Sequence, residues 1–503
     1  MNILKNIICT IAIVTTSSYA LSLEELKSMP KSIERDFYIW KYLKDPNTTS
    51  YSANEASKLI FHINSKLDKA YYRKTFSHLR KRVYKPKPET LAKYAKLISK
   101  MQKSGNFYEA WLKLDTKNKL MVFIHGGTQN RALLNKDIGS KLFLELSNYK
   151  EINRFLFRVG KERLTKLKNV ALNTAPLSDT KINYNNLLKL GFDNLKRDKE
   201  QLASRFFYRA IYKAKSRFYA DKAIFWYYMA TRDLKYLNKL ANSHDFNIYK
   251  LIALDFLNRP YPIPATAPLS NAEAKTIDIT NPIDWAILKK KIFSKKYNLY
   301  TLASKYNSFD TMAYYYYILN KASRDTKQYF PLPYRDILSK YTIDRQALIY
   351  AIARQESQFI PASVSSSFAV GMMQFMPFLV KHIAKVRGEN VSLEDMFKPV
   401  VSIRFANTHL NYLNKYLYHP LFVAYAYNAG IGYTRRLIRK NIFKSGKYEP
   451  YLSLEMVDNE QANHYGKKVL ANYVIYKKLL GNPIKITTLL NQLDKPHLTD
   501  KFR

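Results

Sequence analysis

The stretch from Asp344 to Phe359, DRQALIYAIARQESQF, decides how the rest of the chain is read. Leu348, Ile352 and Glu356 follow one another at intervals of four, on one side of a helix. Thr342 or Asp344 can cap the start of that helix. The spacing predicts a glutamic acid on an apolar face, turned toward a core or a cleft. Removal from water disfavours a carboxylate and raises its pKa. A carboxyl that keeps its proton near neutral pH is what cleavage of a glycosidic bond needs as general acid. On this pattern alone, a structural glutamate paired with a buried arginine, Arg354 or Arg404, is the favoured reading.

Downstream, Pro361 is expected to stop the helix. Ser363, Ser365, Ser366 and Ser367 then form a polar loop, and Gly371-Met372-Met373-Gln374 is expected to open the next helix. Hydroxyls and an amide suit hydrogen bonding to sugar hydroxyls and N-acetyl groups, although an ordinary capped turn has the same composition. Met372, Met373 and Met376 fit a core equally well. From Ser402 to Tyr418, apolar residues at spacings of three and four mark a core helix. Ala424-Tyr425-Ala426-Tyr427-Asn428-Ala429-Gly430 reads as a short helix closed by its glycine. Tyr465, Val469 and Tyr473 lie on one face of a long last helix, with Glu455 in the loop before it. No acid follows Glu356 until Glu389. Glycosidases that use water pair two carboxylates. A lone acid points to chemistry in which the substrate supplies the nucleophile, unless Glu394 or Asp395 folds back as a partner.

Upstream, the chain reads as helical. Only 13 glycines occur in 503 residues, too few for many tight turns. From Phe206 to Leu257 apolar residues recur at helical spacing. Residues 21–265 are expected to be successive short helices, arranged as a superhelix or as an irregular bundle. Pro260, Pro262, Pro264, Pro268 and Pro282 mark a break, and Phe330-Pro331-Leu332-Pro333 marks a second. The expected organisation is a signal segment over 1–20, a helical domain over 21–265, a linker domain over 266–330, a catalytic domain over 331–490 and a tail over 491–503.

The first 20 residues carry Lys5, an apolar run from Ile7 to Val14 and the small-x-small pattern Ser18-Tyr19-Ala20, as in a cleaved secretory signal. The run is too short for a membrane span, and no later apolar stretch is long enough for one. The one cysteine, Cys9, falls within this signal. The mature chain then has no thiol, which excludes disulfide scaffolds, cysteine-based zinc sites and thiol nucleophiles. The residues before Cys9 lack the small side chains of a lipid-attachment site. A formal net charge of +44 implies attraction to a polyanion, or a lineage with basic proteins generally. For an exported protein the polyanion is a cell wall or membrane surface rather than nucleic acid. His125-Gly126-Gly127 has no Gly-x-Ser-x-Gly to make a lipase, and the nine histidines show no His-Glu-x-x-His spacing.

Taken together, Leu332-Pro333-Tyr334, Ala351-Ile352-Ala353-Arg354-Gln355-Glu356-Ser357, Gly371-Met372-Met373-Gln374-Phe375-Met376-Pro377, Ala426-Tyr427-Asn428-Ala429-Gly430 and the run from Tyr465 to Leu470 resemble the Slt family of soluble lytic murein transglycosylases. The upstream likeness is weaker and rests on Arg217 to Asn258. The resemblance implies an all-α protein: an N-terminal helical superhelix, ring-like, before a C-terminal lysozyme-like, α-rich catalytic domain. It implies that Glu356 acts as acid and then base at the bond between N-acetylmuramic acid and N-acetylglucosamine, leaving a 1,6-anhydro ring. Ser365, Gln374, Met376, Tyr427, Asn428 and Glu455 match family positions that line the glycan cleft. No metal or cofactor is implied. The partners implied are peptidoglycan glycan strands, together with other cell-wall enzymes, in the periplasm. Departures are Met372 for the family's leucine, Phe368 for a glycine of the serine loop, and Asn463 for an arginine. The rival readings are a goose-type-lysozyme-like hydrolase and a non-catalytic wall-binding scaffold.

Overall fold

The computed structural model describes residues 21–79, 88–270 and 277–503. The signal segment expected over 1–20 lies outside the described residues. Within them the chain is helical, from Leu23–Ser28 to Pro496–Thr499, and the extended pairing is limited to isolated bridges. No helix among the described residues is long and apolar enough to cross a membrane. The described residues fold as two compact units.

Of the described residues, the first unit joins 21–79, 277–296 and 361–398. Ser32 and Asn64 cap the helices Ile33–Tyr42 and Ser65–Thr75 through their side chains, as residue types at such positions do. The core is aromatic. Phe368 lies 5.4 Å from Trp40, tilted by 34°, and meets Phe37 edge-on at 6.0 Å, and Phe37 in turn meets Phe397. Phe368 is buried and has φ of 60°, the left-handed region that glycine normally fills. The side chain that departs from the family pattern is therefore an anchor for the serine loop. Asn64 Nδ2 donates to the Ser366 carbonyl at 2.9 Å, and Lys66 bonds the Ser367 carbonyl.

The loop Pro361 to Met376 carries three expected site residues. Ser365 Oγ accepts from Ala369 N at 2.9 Å. Gln374 Nε2 donates to the carbonyls of Ser363 and Gly371 at 3.2 and 2.8 Å. Met376 is half-buried and precedes the helix Pro377–Arg387. The expected helix at Gly371 is absent: Val370 pairs with Val364 and Phe375 instead, and the helix waits for Pro377. Gly371 has φ of 78°, and a Cβ there would run into the Met396 carbonyl oxygen. Gly371→Ala is accordingly expected to cost about 2 kcal/mol or more through strain and clash. A thermal melt beside the wild type checks it.

Of the described residues, the second unit joins 88–270, 297–360 and 399–503. From Tyr184–Leu195 through Glu200–Lys213 to Arg217–Thr231, each helix packs on the next, as the upstream periodicity predicts. The helix Glu460–Leu479 is buried along most of its length and packs against both Ile343–Ser357 and Pro420–Ala429. Gly466 permits that second contact: a Cβ there would strike the Tyr425 ring. Two short helices, Ile486–Leu490 and Pro496–Thr499, follow it, so it is not the last.

Candidate active site

Glu356 sits in the last turn of Ile343–Ser357, whose start Thr342 caps. The middle of this helix is buried on all sides from Ala347 to Ala353, not on one face only. It ends at Gln358, in the left-handed region at φ of 53°, three residues before the proline expected to stop it. Gln358 N bonds back to Ala353 and Arg354, the usual way to satisfy last-turn carbonyls. Arg354 does not turn to Glu356. Its guanidinium lies 3.9 Å over the Phe330 ring and donates to the Tyr329 carbonyl at 3.2 Å.

The partner of Glu356 is a phenol. Tyr465 Oη donates to Glu356 Oε1 at 2.8 Å. Burial pushes the Glu356 carboxyl up from its ordinary 4.5 to about 7, and the Tyr465 hydrogen bond offsets only part of that. A place in the last turn acts in the same direction, since the helix end carries partial negative charge. Burial and the neighbouring Glu356 hold the Tyr465 and Tyr427 phenols protonated, well above their ordinary range. Tyr465→Phe removes the one group seen to favour the carboxylate. It is expected to raise the Glu356 pKa further, by about one pH unit. The pH titration of the variant checks this.

A cavity of about 670 Å³ opens at this carboxyl, lined by Tyr219, Gln355, Glu356, Asn428, Asn459, Glu460, Gln461, His464 and Tyr465. Its volume is in the range of small-molecule sites. The lining contains four amides and no lysine or arginine, in a chain with 83 of them. Tyr427 and Asn428 come from the last turn of Pro420–Ala429, which Gly430 closes at φ of 84°. His464 is neutral at physiological pH, since burial and then Lys468, Lys467 and Lys222 pull its pKa down to about 4. No group of three or more His, Cys, Asp or Glu side chains able to hold a metal occurs among the described residues.

Residues 335–449 match the transglycosylase SLT domain. The SLT segment contains Glu356, Ser365, Gln374, Met376, Tyr427 and Asn428. The chain is similar to the soluble lytic murein transglycosylases of Salmonella typhimurium and Escherichia coli K12. The first is 28% identical over 216 residues, which is 41% of this chain and 32% of that protein. The second is 30% identical over 160 residues, 30% of this chain and 24% of that protein. The aligned part thus spans a third or less of these relatives' own length. Among solved structures, the 70 kDa soluble lytic transglycosylase of Escherichia coli superposes with a TM-score of 0.44 at 16% identity, covering 94% of this chain and 84% of that one.

The expected site residues fall into three groups. Glu356 and Asn428 line the cavity in the second unit; Tyr427 is outside the lining, though its phenol feels the charge of Glu356. Ser365, Gln374 and Met376 belong to the first unit, where Ser365 and Gln374 bond within the loop described above. Glu455 lies outside the SLT segment and outside the cavity lining. Its side chain is 1% exposed and pairs with Lys222 and with Lys467, the latter at 2.7 Å. Trp226 Nε1 and Tyr249 Oη also donate to it, at 3.2 and 2.8 Å. Burial alone would raise its pKa; the two ammonium groups override that and hold it well below the carboxylate range. Asn463, where the family has an arginine, donates to the Leu454 carbonyl at 2.8 Å.

Sequence reading did not assign Tyr219, Gln355, Glu460, Gln461, His464 or the hydrogen bond of Tyr465. Of these only Gln355 had a local signal, its place beside Glu356.

Proposed function

We propose that this chain is a peptidoglycan lytic transglycosylase, a lyase that cleaves the β-1,4 bond from N-acetylmuramic acid to N-acetylglucosamine without water. The observation that carries the reading is Glu356: a carboxyl whose pKa lies at about 7, in a cavity lined by amides and phenols with no fixed cation. A neutral, hydroxyl-rich polymer suits such a lining better than a polyanion does. Glu356 gives its proton to the glycosidic oxygen as the bond to the muramic C1 breaks. The muramic N-acetyl group stabilises the positive centre. Glu356, now a carboxylate, removes the proton from the C6 hydroxyl, whose oxygen bonds to C1 and closes the 1,6-anhydro ring. The carboxyl ends as it began. Tyr427 and Asn428 orient the sugars. On the resemblance, Ser365, Gln374, Met376 and Glu455 are assigned to glycan binding as well.

We assign 331–490 as the lysozyme-like catalytic domain, 266–330 as a linker domain, 491–503 as a tail and 21–265 as a superhelical domain that holds the glycan strand. Segment 1–20 directs export to the periplasm and is removed. The net charge of +44 draws the chain to the acidic stem peptides of the wall. Other cell-wall enzymes are its expected partners in wall turnover and remodelling.

Glu460 supports a second reading. It lines the same cavity as Glu356 and could supply the second carboxylate of a hydrolase. Mass spectrometry of fragments released from purified sacculi separates the two. Ring-closed fragments, lighter by one water, are expected; reducing ends throughout would establish the hydrolase.

A further inference from the structure

We propose that Tyr219 and His464 form one wall of the Glu356 cavity as a stacking subsite for a pyranose ring, which presents its apolar C–H face to them. The proposal rests on the carbohydrate reading of this cavity. It adds a binding element from outside the SLT segment, since Tyr219 precedes residue 335 and His464 follows residue 449.

The two rings lie 5.7 Å apart at 37° and both line the cavity. Their neighbours fix them before any ligand arrives. Buried Phe218 packs on His464 at 4.4 Å. Tyr184 meets the Tyr219 ring edge-on at 5.3 Å, and its hydroxyl donates to the Tyr219 carbonyl at 2.7 Å. Rings held in this way lose little freedom on binding. The uncharged imidazole offers a ring face and no charge to a ligand.

The rest of the lining determines which ligand suits this wall. Gln355, Asn428, Asn459 and Gln461 present amides. An amide donates and accepts at once, as hydroxyl and acetamido groups require. A flat apolar wall beside convergent amides matches a pyranose, with C–H groups on one face and polar groups around its edge. A nucleobase would also stack, but its phosphates would meet Glu356 and Glu460 with no lysine or arginine in the lining to receive them.

The test uses the full chain carrying Glu356→Gln, so that ligand is bound but not turned over. The probe is the tetrasaccharide of β-1,4-linked N-acetylglucosamine, measured by titration calorimetry. Tyr219→Ala in this background is expected to weaken binding about tenfold, and Tyr219→Phe to leave it within about twofold. In the otherwise wild-type chain, Tyr219→Ala raises KM on sacculi by a similar factor and leaves kcat unchanged. Should the alanine variant unfold, Tyr219→Leu replaces it, keeping bulk without a ring face; it is expected to lose binding while Tyr219→Phe does not. A folded alanine or leucine variant that binds the tetrasaccharide as tightly as its parent overturns the subsite. If the wild type releases no glycan fragments while tetrasaccharide binding depends on Tyr219, the reaction is wrong and the subsite stands. If it turns over sacculi and Tyr219→Leu has the KM of the wild type, the subsite is wrong and the reaction stands.

Discussion

Glu356→Gln is expected to reduce fragment release from sacculi by about a hundred- to ten-thousand-fold, the range that general acid–base catalysis supplies. The amide keeps the shape and can still accept from Tyr465, but it has no proton of the needed acidity to give. Glycan binding should survive, since the amides and rings of the cavity remain. The variant also separates chemistry from stability. Glu356 is held at about 7 against an ordinary 4.5. Between those values the native chain keeps a proton that the unfolded chain has released. Wild-type stability therefore falls as pH rises through this window, and the loss is complete above about 7. The glutamine variant has no such dependence. It should be less active than the wild type at every pH and relatively more stable on the alkaline side. Melting temperatures of the two proteins at pH 5 and pH 8.5 check the sign. A glutamine variant that loses relative stability on going to the higher pH would remove the burial argument.

The second large effect is structural. Glu455→Gln removes the carboxylate shared by Lys222 and Lys467, whose side chains are 18% and 2% exposed. Lys222 and Lys467 then sit without a counter-charge, and burial, which already pulls Lys467 down to about 7 beside Glu455, removes its proton near neutral pH. Breaking a buried pair by deleting one partner typically costs about 3–5 kcal/mol, and that loss is expected here. Replacing the whole cluster with apolar side chains of similar volume, Lys222→Met with Glu455→Leu and Lys467→Met, should recover most of it, because no stranded charge remains. Urea midpoints of the single and triple variants decide this. If the two fall together, the burial of the pair contributes little. Because Lys467 lies two residues after Tyr465, the single variant should also disturb the phenol that touches Glu356.

What the sequence disclosed and what it hid follow one physical line. Local pattern was enough to put Glu356 in a helix with Leu348 and Ile352. It was enough for Gly430, whose positive φ closes a helix, and for the long helix around Val469. Local pattern could not choose among distant partners. A paired-glutamate reading offered Arg354 or Arg404, and the partner is Tyr465, 109 residues from Glu356. Tyr219 and His464 meet across a still longer separation, with nothing in either neighbourhood to announce a cavity wall. Glu455 stood out in the sequence by resemblance only, and its setting is made by Lys222 and Lys467, the first from the helix Arg217–Thr231. The Gly371 error has the same origin. A methionine-rich run after a glycine resembles a helix start, but the contact with Met396 holds it as a turn. Phe368 shows the converse: it holds a left-handed backbone where the resemblance expects glycine, and its ring packs on Trp40 and Phe37.

The most direct measurement is the titration of the Glu356 carboxyl itself, by carbon NMR of the chain labelled at glutamate side chains, with Glu356→Gln to assign the signal. A carboxyl titrating near 7, present in the wild type and missing from the variant, is the result required. If every glutamate signal titrates below about 5, Glu356 is an ordinary carboxylate at neutral pH. The proton on which the proposed reaction depends would then not be there.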